Sequence, residues 1–407
     1  MKANSPKVNL IYLSIIQLFG LSLFFAPNAS IDQLVNLLSL SDIQIAWISI
    51  AVTLGFVCGG LIFALFNIAD SFKGENILAT SCYIGGLLNL LLVLVNAHSF
   101  VVVFILRFLT GICVAGIYPI GMKLVASHFK TNRGFAIAVL LAALNLGSGL
   151  PYLFRLFGSP SWKIVTSLAA GCAIIGGVLT NLFISQGEYI ASSQKISLNA
   201  LKKIIKNPSV KLANYGYDGH MWELYAMWVW VPIFLKLSYE NANPNASEKE
   251  VIFFFASAAF GVFVTGAIAD ILGGWISDRI GRTAFNIIML TTSGMCGLII
   301  GLFYSNPFIS LVIALIWGAT VIPDSPQYSA MISELADPEV VGTALTIQTA
   351  IGFGLSILSI RLIPTLADKV GWRYAFSFLS IGPFVGIIAL LKLRSLPEST
   401  KIAMGKK

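Results

Sequence analysis

The sequence predicts an all-α membrane protein with 12 transmembrane helices arranged in two pseudo-symmetric six-helix bundles. Hydrophobic residues make up 57% of its 407 residues and charged residues only 11%, whereas a soluble domain carries about 25% charged residues. Apolar runs recur between short polar breaks, and each has the roughly 20 residues that a helix needs to cross a bilayer. The lipid bilayer is therefore the predicted surrounding of most of the chain.

The predicted spans are helices because their apolar residues do not alternate with polar ones, as they would in a membrane barrel. Lys2 and Lys7 precede the first span, as basic residues do in a secretory signal peptide. Removal of that span would leave an odd number, so a retained helix is predicted. The spans are predicted at residues 9–30, 44–66, 77–96, 100–124, 134–157, 162–184, 211–236, 250–274, 284–305, 308–331, 341–363 and 373–393.

The longest polar break divides the chain into two halves. The predicted domains are an N-terminal six-helix bundle at 1–184, a cytoplasmic linker at 185–210 and a C-terminal six-helix bundle at 211–407. The Lys and Arg residues behind the formal charge of +8 lie mainly in alternate loops, which marks cytoplasmic loops rather than a nucleic-acid surface. Both termini are therefore predicted in the cytoplasm. The short loops and the absence of extra domains predict that the membrane is a plasma membrane, of the bacterial inner-membrane kind.

The most specific local signal is the stretch GGWISDRIGR at residues 273–282, between the eighth and ninth spans. Glycine at Gly274 lets another helix approach closely. Asp278 is predicted to face the positive N-terminal end of a helix that begins near Gly342, and basic residues hold the loop on the cytoplasmic side. The residues predicted to form this conformational latch are Gly274, Asp278, Arg279, Gly281 and Arg282.

This stretch resembles the G-x-x-x-D-R-x-G-R signature of the major facilitator superfamily. The corresponding place in the first half keeps Asp70 and a nearby basic residue, so Asp70 joins the predicted latch. The run from Arg107 to Gly111 is similar to the R-x-x-x-G element of the fourth helix in that family. The resemblance implies alternating access, with helices one, four, seven and ten lining a central path.

Ionisable residues inside the spans are the predicted proton-coupling groups, because a charge at the bilayer centre costs about 2.5–3.5 kcal/mol on insertion scales. Asp324 lies in the tenth span between two prolines, which interrupt the backbone hydrogen bonds and free carbonyls toward a cavity. Glu223 lies in the seventh span, and His220 precedes it by three residues on the same helix face. His220 and Glu223 are predicted to share a proton or a structural hydrogen bond. The complete set is Asp324, Glu223, His220 and Asp218.

Six further residues are predicted to contact the substrate. Arg107 supplies a positive charge in the fourth span. Trp222 and Tyr225 have rings that suit a planar or cationic solute. The resemblance places spans one, four, seven and ten around one cavity. The full set is Arg107, Trp222, Tyr225, Gln327, Gln17 and Asn28.

Two stretches, 220–228 and 324–349, resemble a subgroup loosely similar to nitrate/nitrite and cyanate porters. Nitrate porters place arginines in spans two and eight, whereas span eight here has Asp270. The resemblance and the intramembrane acids therefore predict a proton-coupled, monomeric secondary transporter of a small organic solute, with an inorganic-anion porter as the alternative.

Other classes are less favoured by the sequence. A membrane enzyme would need a nucleophile and base or a set of metal ligands, but the three His residues are scattered, and no P-loop stretch occurs. No enzyme activity, cofactor or metal is therefore predicted. A non-transporting membrane sensor would carry an added soluble domain, and a channel would pass single-channel currents far above carrier turnover.

Overall fold

The computed structural model describes residues 5–94, 99–130, 133–158, 160–189, 198–337 and 339–406, with the side chains of 198–201 left undescribed. Throughout these ranges the regular structure is helical. The α-helices are α1 (Pro6–Phe25), α2 (Ile31–Leu38), α3 (Asp42–Leu65), α4 (Ile68–Ser71), α5 (Gly74–Leu94), α6 (Phe100–Ala115), α7 (Tyr118–His128), α8 (Arg133–Arg155), α9 (Trp162–Phe183), α10 (Leu198–Lys206), α11 (Pro208–Ala242), α12 (Glu248–Ile280), α13 (Arg282–Ile299), α14 (Pro307–Val321), α15 (Ser325–Leu335), α16 (Val341–Val370), α17 (Trp372–Ala375) and α18 (Ile381–Ser395).

Within the described residues, 11 helical segments are long and apolar enough to cross a membrane. The remaining predicted span, 211–236, lies inside α11, a helix of 35 residues. Polar residues in the middle of α11, among them Asp218, His220 and Glu223, lower its mean hydropathy. The predicted all-α membrane fold is thus confirmed. The 11 segments are Pro6–Phe25, Asp42–Leu65, Gly74–Leu94, Phe100–His128, Arg133–Arg155, Trp162–Phe183, Glu248–Ile280, Arg282–Phe303, Pro307–Leu335, Val341–Val370 and Trp372–Ser395.

The helices group into two compact units. Unit 1 comprises Met1–Ser193 and Asn245–Val264, and unit 2 comprises Gln194–Pro244 and Thr265–Lys407. Helix α12 therefore contributes its first half to unit 1 and its second half to unit 2. In unit 1, α1 packs against α8 and α9, α3 against α6, and α5 against α9.

In unit 2, α11 packs against α14, α15, α16 and α18. Its middle residues are mostly buried as a result. A buried polar side chain needs a partner, because an unbonded polar group in an apolar interior costs several kcal/mol (roughly 2–7). The polar residues of α11 must therefore find their partners on neighbouring helices.

Two breaks in the helices follow from proline. Helix α1 ends at Phe25, just before Pro27, because proline has no backbone N–H to continue the hydrogen-bond pattern. Helix α14 ends at Val321 and α15 begins at Ser325, with Pro323 in the gap and Pro326 in the first turn of α15. The second break was predicted from these prolines, and it places Asp324 directly before α15.

Candidate functional site

The candidate site is a group of buried polar side chains in unit 2. Its first member is Glu223 of α11, which has no exposed surface. The hydroxyl of Ser293 donates a hydrogen bond to Oε2 of Glu223 over 2.8 Å. The indole Nε1–H of Trp317 donates to Oε1 over 2.8 Å. Each carboxyl oxygen of Glu223 therefore accepts a hydrogen bond from a neutral donor on a different helix, α13 or α14.

The second member is a contact between His220 and Asp324, both fully buried. Nδ1 of His220 lies 2.8 Å from Oδ1 of Asp324. The rings of Tyr217 and Tyr328 pack beside the imidazole, with centroids 5.8 Å and 6.0 Å from it. This corrects the predicted pairing of His220 with Glu223. The α14–α15 break brings Asp324 to the imidazole, and Glu223 is turned to Ser293 and Trp317.

The α14–α15 break is itself held by neighbouring helices. The side-chain amide of Asn286 on α13 donates to the backbone carbonyl of Asp324 over 3.3 Å. A Cβ added at Gly273 of α12 would lie 2.9 Å from Cβ of Pro323. Gly273, which directly precedes the predicted Gly274, therefore permits a close approach of α12 to the α14–α15 break.

The remaining α11 residues are less enclosed. Asp218, Trp222 and Tyr225 are half-buried. The indole of Trp222 donates to the carbonyl of Phe378 over 3.3 Å, and the ring centroid of Tyr225 lies 4.9 Å from that of Phe353. Of the predicted substrate contacts, Trp222 and Tyr225 are thus partly exposed residues.

Gln327 belongs to a different network. Its Oε1 accepts hydrogen bonds from Ser277 and from Nη1 of Arg282, each over 2.9 Å. Arg282 also donates to both carboxyl oxygens of Glu334 over 3.1–3.3 Å. The predicted substrate residue Gln327 is therefore part of the hydrogen bonding around the predicted latch.

The latch residues in unit 2 also differ from the prediction. Asp278 has a side chain that is 68% exposed and lies 3.3 Å from Arg282, which corrects the predicted contact with the helix that begins near Gly342. The guanidinium of Arg279 stacks over the ring of Trp275 at 3.5 Å. Gly281 has a φ of 94°, a left-handed backbone value that favours glycine.

In unit 1, the latch residue Asp70 forms an ion pair with Lys123 of α7, which also donates to the carbonyl of Ala69 over 2.8 Å. Lys123 was not predicted as part of the latch. It is a basic residue near the cytoplasmic end of the predicted fourth span, and its pairing with Asp70 depends on a contact between segments far apart in the sequence.

The other predicted substrate residues in unit 1 are buried. Arg107 donates to the carbonyl of Leu23 over 2.8 Å and to that of Phe24, which lie at the end of α1. The i+4 residue of Leu23 is Pro27, which has no backbone N–H to donate, so the guanidinium supplies a donor at the end of α1. The amide of Asn28 donates to Ser49 over 2.6 Å.

Gln17 is buried in unit 1 as well, and its Oε1 would lie 2.5 Å from a Cβ added at Gly121. The partners that sequence reasoning missed are Ser293, Trp317, Glu334 and Lys123. Ser293 and Trp317 carry no signal as isolated residues, because serine and tryptophan are ordinary in apolar helices. The sequence indicated only that a buried Glu223 would need hydrogen-bond donors, without saying which residues supply them.

The fold and these buried groups define a polytopic helical membrane protein with ionisable side chains inside its helical core. The family model of the Major Facilitator Superfamily matches residues 11–265 and 219–407. The chain therefore belongs to the Major Facilitator Superfamily, a family of membrane transporters rather than enzymes. The comparison with curated proteins gave no match.

Proposed function

We propose that this chain is a secondary active transporter that moves a small organic solute across the plasma membrane by alternating access, coupled to protons. The observation that supports it best is the buried acid cluster of unit 2, in which His220 contacts Asp324 at 2.8 Å and Glu223 accepts hydrogen bonds from the neutral donors Ser293 and Trp317. Ionisable groups inside a membrane are costly and are typically functional.

The charge of this cluster explains how protons would drive the cycle. His220 and Asp324 together hold one proton without net charge, either as a neutral pair or as an ion pair, and loss of that proton leaves a net negative charge. Glu223 adds a second site that is charged when empty. Because an unbalanced charge is strongly disfavoured in an apolar interior, proton loading favours the closed packing of unit 2, and proton release favours a conformation that admits water.

Neither carboxyl group has exposed surface in this conformation, and their partners lie within unit 2. The sequence predicted that these acids line a central cavity, and their complete burial in this conformation differs from that prediction. Proton exchange therefore requires a second conformation that hydrates the cluster. A proton that binds one conformation better shifts the population toward it, which is the condition for coupling.

The proposed domain arrangement is the one predicted from the sequence, with bundles at 1–184 and 211–407 joined by a cytoplasmic linker at 185–210. The two bundles rock about a substrate site, the protein acts as a monomer, and both termini lie in the cytoplasm of a bacterial inner membrane. Trp222 and Tyr225 are assigned the substrate contact because both residues are partly exposed. The alternative of an inorganic-anion porter has less support, since the guanidinium of Arg107 already bonds two carbonyls.

Asp324→Asn is expected to abolish solute flux driven by a pH gradient. Asparagine keeps the shape of the side chain but carries no negative charge and cannot release a proton, so His220 loses the carboxylate that shares and balances its proton. A thermal-shift screen across metabolite classes first identifies a stabilising solute, because a ligand of the folded state raises the melting temperature. Proteoliposomes with an imposed pH gradient then report uptake of that solute.

Asp368→Asn is the matched control, since it makes the same chemical change at an exposed position and should keep wild-type flux. Asp324→Asn should retain expression and solute-dependent stabilisation while losing gradient-driven uptake. Equal gradient-driven uptake by Asp324→Asn and by the wild-type protein would remove Asp324 from the coupling role.

A further inference from the structure

We propose that Trp317 and Ser293 direct the proton of Glu223 to one carboxyl oxygen, Oε2, and that the Ser293 hydroxyl reverses from donor to acceptor when the proton binds. This inference rests on the proposed function, because it concerns the proton site named there. Ser293 and Trp317 act as positioning residues that hold the proton-binding group.

The argument begins with Trp317, which faces Oε1 at 2.8 Å. An indole nitrogen is a donor only and has no lone pair to offer a proton. Trp317 has no exposed surface, and its ring packs edge-on against Phe376 with centroids 5.8 Å apart. The N–H is therefore fixed toward Oε1. A proton on that oxygen would find no acceptor at Trp317 and would make Oε1 a poorer acceptor for the indole N–H. Oε1 is therefore the oxygen that stays unprotonated in both states.

Ser293 offers the opposite properties to Oε2. A hydroxyl has one hydrogen to donate and two lone pairs that accept. The Ser293 oxygen lies 2.8 Å from Oε2 and also 3.3 Å from the carbonyl oxygen of Leu290. A carbonyl oxygen only accepts, so the hydroxyl hydrogen has two places to go. Ser293 can therefore donate a hydrogen bond to ionised Glu223 and accept one from protonated Glu223.

The two states then follow with every proton accounted for. When Glu223 is ionised, the Ser293 hydroxyl donates to Oε2 and Trp317 donates to Oε1. When a proton from water binds Oε2, the new O–H bond donates to the Ser293 oxygen, and the hydroxyl turns its own hydrogen to the Leu290 carbonyl. Glu223 gains one proton and loses its negative charge, Ser293 keeps its proton, and no hydrogen bond is lost.

Other titratable groups face Glu223 and belong to the same electrostatic environment. On its own helix, His220 lies one turn away. Electrostatic interactions with Glu223 come from Asp324 before α15, from Cys296 on α13 and from Tyr328 on α15. Asp324 is engaged with His220, so among the described residues the direct hydrogen bonds to Glu223 come from the neutral donors Ser293 and Trp317.

The test uses infrared difference spectroscopy of the full-length protein in liposomes, titrated with protons alone. A carboxyl C=O band that appears on acidification and is missing in Glu223→Gln identifies protonated Glu223. If the proton sits on Oε2, the C=O oxygen is Oε1, which Trp317 bonds. Trp317→Phe should then move this band to higher frequency, whereas Ser293→Ala should leave its frequency close to that of the wild type.

The titration midpoint of the same band tests the role of Ser293. Hydrogen bonds to a charged group are worth more than those to a neutral one by about 1 kcal/mol, so loss of the hydroxyl destabilises the ionised form more. Ser293→Ala should therefore raise the midpoint by about one pH unit. Ser293→Thr keeps the hydroxyl and should restore the wild-type midpoint, which a purely structural role of the side chain would not predict.

Three results would overturn the inference. They are a C=O band that shifts in Ser293→Ala but not in Trp317→Phe, equal midpoints in Ser293→Ala and Ser293→Thr, or the absence of any band that depends on Glu223. Because the readout needs no solute and no gradient, it is independent of the flux measurement. Flux without coupling, together with the predicted band shifts, would reject the proposed function and leave the proton site intact.

Discussion

Gly55→Ala is expected to destabilise unit 1 by about 3 kcal/mol or more, at the upper end of the range for overpacking, whereas Gly60→Ala on the same helix should keep stability or raise it by up to about 1 kcal/mol. A Cβ added at Gly55 of α3 would lie 1.9 Å from the carbonyl oxygen of Phe108 on α6. The clashing atom belongs to the backbone of a packed helix and cannot rotate away. The two helices would have to separate along their crossing.

The same crossing is tight from the other side. A Cβ added at Gly111 of α6 would lie 2.1 Å from the carbonyl oxygen of Val52 on α3. Helices in a membrane associate through close packing of small residues, because lipid supplies little hydrophobic drive between them. Separation of α3 and α6 by the width of a methyl group therefore removes much of the interaction that holds them together.

Gly60 makes the comparison direct, because no atom lies within 4 Å of a Cβ added there. Alanine at this position also has the higher helix propensity, by about 1 kcal/mol. The stabilities of the wild-type protein, Gly55→Ala and Gly60→Ala are compared by unfolding them in mixed detergent micelles that contain increasing amounts of dodecyl sulfate. The packing argument is rejected if Gly55→Ala and Gly60→Ala unfold at the same detergent composition.

The membrane fold could be predicted from the sequence because a helix that crosses a bilayer needs a minimum length of apolar residues. Predicted spans such as 44–66 and 162–184 agree closely with α3 (Asp42–Leu65) and α9 (Trp162–Phe183). The break around Asp324 was equally accessible, because Pro323 cannot donate a backbone hydrogen bond. These features depend on the local sequence alone.

The contacts of the candidate site could not be predicted from the sequence in the same way. Glu223 is separated from Ser293 by 70 positions and from Trp317 by 94, and helical periodicity does not decide which of several helices a side chain faces. The prediction paired Glu223 with His220 because the two share a helix face. A neighbour across the helix crossing provided a better partner for each of them.

The same limit applies to the glycines. Gly55, Gly60 and Gly111 all lie in apolar spans, where glycine is common and its presence alone does not identify a crossing. Only the three-dimensional packing distinguishes Gly55 and Gly111, which meet a backbone, from Gly60, which meets nothing. Arg107 is a further case, since its charge suggested a ligand contact and the carbonyls at the end of α1 accept its hydrogen bonds instead.

Arg155→Met is expected to destabilise unit 1 by about 3 kcal/mol, because removing one partner of a buried ion pair leaves the other charge uncompensated. The side chain of Arg155 on α8 has no exposed surface and lies 2.9 Å from Asp32, which is 18% exposed. Arg155 also donates to the carbonyl of Pro160 over 2.8 Å. The partial exposure of Asp32 places the expected effect at the lower end of the range of about 3–5 kcal/mol for buried pairs.

A double-mutant cycle with Asp32→Asn separates the charge from the packing. Asparagine needs no cation, so Arg155→Met should cost less when Asp32 is already replaced, and the difference is the coupling between the two residues. Arg361→Met is the matched control in unit 2, because the guanidinium of Arg361 is half-buried and donates to Thr365 on its own helix over 2.8 Å. Its expected effect is within about 0.5 kcal/mol. Additive losses in the Arg155 and Asp32 cycle, measured by unfolding in the same mixed micelles, would mean that the pair contributes no net stability and that Arg155 acts through the Pro160 carbonyl alone.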